Sequence, residues 1–161
     1  MKTNPKTLES RTKIRFQDCD PFNHLNNAAY INYFINARED QLIANYDIDI
    51  YKMAKTEGKS WVVGSNQISY LRPALLNEVV VITSQLLKYS DASLQVELKM
   101  YNAQKTELKA VMWSIFVHFS LLEQKKAKHS QNLMQLFKDV TIPSLETTFE
   151  QRILTFRSQT V

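Results

Sequence analysis

Between Asp18 and Asn27 the chain gathers Asp18, Cys19, Asp20, Asn23, His24, Asn26 and Asn27, all within ten residues. Carboxylate, imidazole and amide groups at this density suit the activation of an attacking group and the holding of a polar carbonyl. Asp20 is the first candidate. Pro21 follows it and restricts the backbone, which holds the carboxylate in one direction for work as a general base or a nucleophile. His24, four residues on, is placed to orient a substrate, or to hold Asp20 or a water by hydrogen bonding. Cys19 is a poor nucleophile, because the flanking Asp18 and Asp20 disfavour its thiolate. Asp18, Asp20 and His24 are also metal-ligand types. The run nevertheless lacks the glycine and distal Glu of a calcium loop, and His118 and His129 give no helical pair spacing. The reading is no metal and no other cofactor. No GxSxG elbow, Walker loop or dinucleotide fingerprint occurs.

A helix must follow this loop. Its start falls near Asn26 or Asn27, both favoured N-caps. Tyr30, Ile31, Tyr33, Phe34, Ile35 and Ala37, then Leu42 and Ile43, recur at spacings of three and four. The first half is apolar nearly all round, which calls for a wide partner such as a sheet. About 17 residues give roughly 25 Å of helix, enough to cross one. The unpaired N–H groups and positive end of such a helix, at Asn27, suit a developing oxyanion.

The remaining segments supply that partner. Met1 to Arg11 reads as a polar lead-in, poorly ordered at its start. Thr12 to Phe16 alternates as a short strand. Residues 45 to 60 form an irregular connection with a short helix around Asp49 to Thr56, stopped near Gly58. Strands are expected over Trp61 to Leu71, Val79 to Lys88, Ser93 to Tyr101 and Leu108 to Leu122. The last is apolar on both faces and is expected to be central. The short connections fit antiparallel hairpins. Gln131 to Val140 reads as a helix after a charged loop. Beyond Pro143 the pattern suits either a helix face of Leu145, Phe149 and Ile153 or an edge strand from Arg152 to Phe156. One helix and a sheet in this order make a two-layer α+β domain, with the sheet wrapped around the helix. Lys88 and Ser90 at a hairpin, Arg72, and the run Lys125, Lys126 and Lys128 are candidates to contact phosphate groups of a ligand.

At 161 residues the chain is expected to be a single domain over residues 1–161. A composition of 44% hydrophobic and 22% charged residues excludes bulk disorder. The net charge of +4 is carried by scattered lysines, with no stripe suited to nucleic acid. A mild positive field favours a phosphorylated small molecule instead. The single cysteine fits a reducing compartment. No secretory h-region and no apolar run near the ~18 residues of a membrane span are present. The expectation is a soluble, cytoplasmic protein without nucleic-acid or membrane partners.

Phe16-Gln17-Asp18-Cys19-Asp20-Pro21, then His24-Leu25-Asn26-Asn27 and Tyr30, resembles the signature of hotdog-fold acyl-CoA thioesterases of the 4-hydroxybenzoyl-CoA thioesterase type. Ile68-Ser69-Tyr70-Leu71-Arg72-Pro73-Ala74 is similar to the end of that family's second strand. The resemblance covers a core of about residues 12–122 and leaves 123–161 as a C-terminal extension. The loop is also similar to that of plant-type acyl-ACP thioesterases, although Phe22 stands where those enzymes have a functional Asn. The resemblance implies a hotdog fold and an acyl-CoA or acyl-ACP substrate hydrolysed to free acid and thiol. It implies no cofactor, and a homodimer with sites at the subunit interface, often paired into a homotetramer. It carries the catalytic carboxylate to Asp20 and the carbonyl-polarising backbone N–H to Asn27, with His24 assisting. Tyr30 and Phe34 are expected to line the acyl site. The alternative is a hotdog protein that binds acyl-CoA or acyl carrier protein without hydrolysis.

Overall fold

The computed structural model describes residues 3–159. β1 (Thr7–Lys13) is followed by a 3-10 turn at Phe16–Asp18, the polar loop, and a second 3-10 turn at Asn27–Ala29. This second turn runs directly into α1 (Tyr30–Tyr46). Asn26 caps it, its side chain accepting from the Ala28 N–H. α1 ends at Asp47, a left-handed residue with φ 55° whose N–H donates to the Leu42 carbonyl. α2 (Ile50–Glu57) begins at Asp49, whose carboxylate accepts from the Tyr51 and Lys52 N–H groups, and ends at Gly58 with φ 67°. Only glycine adopts that backbone at no steric cost.

Four long strands follow: β2 (Lys59–Tyr70), β3 (Val79–Tyr89), β4 (Ser93–Asn102) and β5 (Leu108–Ser120). The two-residue β6 (Lys125–Lys126) pairs with the end of β5. The strands pair antiparallel in the order β1-β3-β4-β5-β2, so β1 and β2 are the edges. α1 packs on the inner face. Tyr30, Phe34 and Ala37 meet Ile82, Val96, Leu98, Met100 and Met112 in one core. This is the hotdog arrangement expected from the sequence.

Several expectations need correcting at the edges. The strand expected over Thr12 to Phe16 lies earlier, because the lead-in from Thr7 pairs with β3 through Gln85. Phe16 is instead in a turn and exposed. β5 is interior but not the middle strand, which is β4. The tail forms a helix, α4 (Phe149–Ser158), after α3 (Gln131–Val140), and Leu145 is exposed rather than part of its face. Among the described residues no helix is long and apolar enough to cross a membrane.

α4 explains why β5 is apolar on both sides. Val111 and Trp113 lie on the outer face of the sheet and pack with Phe149, Ile153 and Phe156 of α4. Glu97 of β4 is fully buried beneath this helix. Its carboxylate accepts from Arg152 Nε and Nη2, each at 2.8 Å, and from Trp113 Nε1 at 2.8 Å. Removing one member of a buried pair strands the other charge. Arg152→Met should therefore cost about 3 kcal/mol in urea unfolding. Adding Glu97→Gln to it should recover most of the loss, since the amide oxygen still accepts from Trp113 and no buried charge remains.

Candidate active site

The polar loop has little apolar mass of its own and is held by hydrogen bonds. The Asp20 N–H donates to the His24 carbonyl at 2.8 Å, and the Asn23 N–H to the Asp20 carbonyl at 3.0 Å. Asn23 takes a left-handed backbone with φ 61°, which asparagine tolerates better than most residues. Leu25 is the loop's buried anchor, and its N–H donates to the Ala74 carbonyl at 2.8 Å. The Leu76 N–H donates to the Asn23 carbonyl. The connection between β2 and β3 therefore forms the wall on which the loop rests. Buried Lys109 braces that wall, with Nζ 2.9 Å from the Pro73 carbonyl and 3.1 Å from Glu78.

Asp20 is half-buried. Its Oδ1 accepts from the Phe22 N–H at 2.9 Å and the His24 N–H at 3.0 Å. Its other oxygen has no partner among the described residues. One carboxylate oxygen is thus anchored and the other is free. His24 contributes to this through its backbone. Its imidazole makes no hydrogen bond among the described residues and lies 6.4 Å from the Phe22 ring. Asn27 is exposed at the start of the second 3-10 turn, and its N–H also has no partner among the described residues. Its carbonyl accepts from Tyr70 Oη at 2.9 Å.

Three tyrosines fix the helix start. Tyr33 donates to Asp18 at 2.6 Å and accepts from the Arg15 N–H. Burial, with the Asp18 bond second, pushes its phenol up to about 12, so it remains a donor at neutral pH. Buried Tyr30 accepts from the Ala74 N–H at 3.2 Å and packs edge-on against Tyr70 with centroids 5.0 Å apart. The only signal for these roles was the recurrence of tyrosine beside the loop and at the end of β2. Asp18 is thereby a structural acceptor. Among the described residues no group of three His, Cys, Asp or Glu side chains is placed to hold a metal ion. Burial first, then Asp18 and Asp20, push the Cys19 thiol up, against nucleophilic use.

The binding residues expected from sequence divide sharply. Arg72 is exposed on the wall segment, two residues before the Ala74 that carries Leu25. Lys88 is exposed near the far end of β3, roughly 30 Å along the strand from the loop at the usual rise. Ser90 is spent on its hairpin, where Oγ accepts from the Ser93 N–H at 3.0 Å and bonds Ser93 Oγ at 2.6 Å. Lys88 and Ser90 therefore do not join Asp20 within one subunit. Phe34 is fully buried in the core. An apolar cavity of about 230 Å3 lies along the second half of α1 and is lined by neither Tyr30 nor Phe34. An apolar helix start is consumed by packing, so the space opens where α1 turns polar.

A long helix wrapped by an antiparallel sheet in this strand order defines a hotdog domain. A model of the thioesterase-like superfamily matches residues 14–137, and the chain belongs to that superfamily. The chain is 31% identical over 86 residues to the long-chain acyl-CoA thioesterase FadM of Escherichia coli (strain K12). That match covers 53% of this chain and 63% of FadM, less than two thirds of the relative's length. A 1,4-dihydroxy-2-naphthoyl-CoA thioesterase from Synechocystis is similar in fold, with a TM-score of 0.75 at 16% identity, covering 85% of this chain and 99% of that one. A DHNA-CoA thioesterase from Staphylococcus aureus is similar over 96% of this chain and 95% of its own, with a TM-score of 0.73 at 14% identity.

The anchoring of Asp20 separates its structural part from any chemical one. An asparagine at position 20 can still accept both N–H bonds, so Asp20→Asn should change unfolding free energy by less than about 0.5 kcal/mol. Asp20→Ala leaves two donors unpaired and should cost about 1 kcal/mol or more, measured by denaturant unfolding.

Proposed function

We propose that this chain is an acyl-CoA thioesterase that hydrolyses its substrate to free acid and CoA. The observation that carries the reading is the divided Asp20 carboxylate, one oxygen anchored by two backbone N–H groups and one free, together with the unpartnered N–H of Asn27 at the start of the turn that leads into α1. The Asn27 N–H donates to the thioester carbonyl and stabilises the oxyanion. Asp20, as general base, takes a proton from water while the oxygen attacks the carbonyl carbon. When the carbon–sulfur bond breaks, the thiolate recovers that proton. Asp20 as nucleophile, through a mixed anhydride that water then opens, uses the same geometry. His24 assists at the rim of the loop, and Arg72 meets a phosphate of CoA.

The working unit is a homodimer joined along β2. This strand is twelve residues long, stands at the sheet edge, and exposes Val62 at 47% and Val63 at 46%. A long, unpaired edge with exposed valines is a template for pairing with a second chain. A cytoplasmic location follows from the CoA substrate.

Free-thiol release from a panel of acyl-CoA and acyl-carrier-protein thioesters tests the activity. Asp20→Asn should keep its fold and lose a hundredfold or more in kcat. Unchanged turnover in that variant overturns the assignment, and tight thioester binding without thiol release marks a binding protein instead. Sedimentation velocity tests the assembly. The wild-type chain should run as a dimer or a pair of dimers, and Val62→Lys, which sets a charge on the edge, should shift it toward monomer.

A further inference from the structure

The cavity beside the second half of α1 holds a group that its surroundings do not explain. Leu42 of α1, Leu86, Val96 and Phe116 of the sheet, and Phe137 and Val140 of α3 make it apolar. Arg38 also lines it and is only 7% exposed. Its Nη1 donates to Ser84 Oγ at 2.9 Å. The remaining guanidinium N–H groups find no acceptor among the described residues. The Ser84 hydroxyl donates a hydrogen bond to Gln41 Oε1, and Gln41 Nε2 donates to the Ile82 carbonyl and to Ser10 Oγ. That network is complete, and none of its members carries a negative charge.

No Asp or Glu of the described residues lies within ion-pair distance of Arg38. Glu39 lines the same cavity, but its carboxylate accepts from Tyr51 Oη at 2.9 Å, and Tyr51 is 63% exposed, so this pair marks the cavity's outer side. Burial draws the guanidinium down to about 10, which leaves it charged at neutral pH. A buried cation without a counter-ion is costly, and a planar guanidinium offers parallel donors that match a carboxylate.

We propose that this cavity binds a medium-length aliphatic chain ending in a carboxylate, with the carboxylate on Arg38 and the chain against the leucine, valine and phenylalanine walls. Two sources share this chemistry: a free fatty acid, or the distal carboxylate of a dicarboxylic acyl thioester. The free-acid source stands apart from the Asp20 reading, and the thioester source rests on it.

Calorimetric titration with octanoate and with octanol, its uncharged counterpart, tests the first source. Octanoate should bind roughly tenfold tighter, the worth of one charge-assisted pair. Arg38→Gln, which keeps a donor for Ser84, should abolish the difference, and Arg38→Lys should retain part of it. The second source is tested in the Asp20→Asn protein, where binding of suberyl-CoA is compared with that of octanoyl-CoA. A roughly tenfold preference for suberyl-CoA with no preference for octanoate assigns the site to the substrate's distal end. Absence of any carboxylate preference in both wild-type octanoate binding and the thioester pair overturns the proposal, and this holds even if the Arg38 variants do not fold. Loss of thioesterase activity alone leaves the octanoate result intact.

Discussion

The structure depends on how α1 disposes of its apolar first half. Tyr30, Phe34 and Ala37 have no outlet to solvent, so the helix start must lie on the inner face of the sheet. Burial of this stripe sets the position and direction of the helix N-terminus. Everything chemical is measured from that point. The loop before it is connected to the sheet by Leu25 and Ala74, and to the helix by Tyr33 and Asp18. Asp20 is thus placed by groups that perform no chemistry themselves.

Burying one stripe of α1 limits what that stripe can offer a ligand. Its first turns are committed to packing, and the open space appears only further along, where Arg38, Glu39 and Tyr46 interrupt the apolar run. The cavity is completed by α3, which comes from the segment after the core strands. The outer face of the sheet is handled separately by α4. That helix covers Val111 and Trp113 and brings Arg152 to Glu97. Both of the last two helices are therefore structural parts of the domain, one on each side of the sheet.

Much of this was legible in the chain. Asp20, His24 and Asn27 fall in one loop because they are close in sequence, and the turn chemistry at Pro21 and Asn23 was readable there, whereas the wall on which the loop rests was not. The long helix and four strands were readable because their apolar residues recur at periods of 3.6 and 2. Less was legible where a residue's neighbours are distant in the sequence. Lys88 and Ser90 looked available for a phosphate until the length of β3 carried them away from the loop. Nothing near Glu97 in the sequence announces that α4 will cover it. β1 was misplaced because its polar alternation gains meaning only through pairing with β3.

The sequence by itself determined the local facts: which carboxylate is held by a proline turn, where the helix is capped, and which faces must be buried. These depend on groups within a few residues of one another. The tertiary structure alone decided that three tyrosines anchor the helix start, that Phe34 is fully buried in the core, and that Arg38 is buried without a counter-ion. Each of these depends on contacts between residues far apart in the chain, and the hydrophobic pattern specifies that a face is covered without specifying by what.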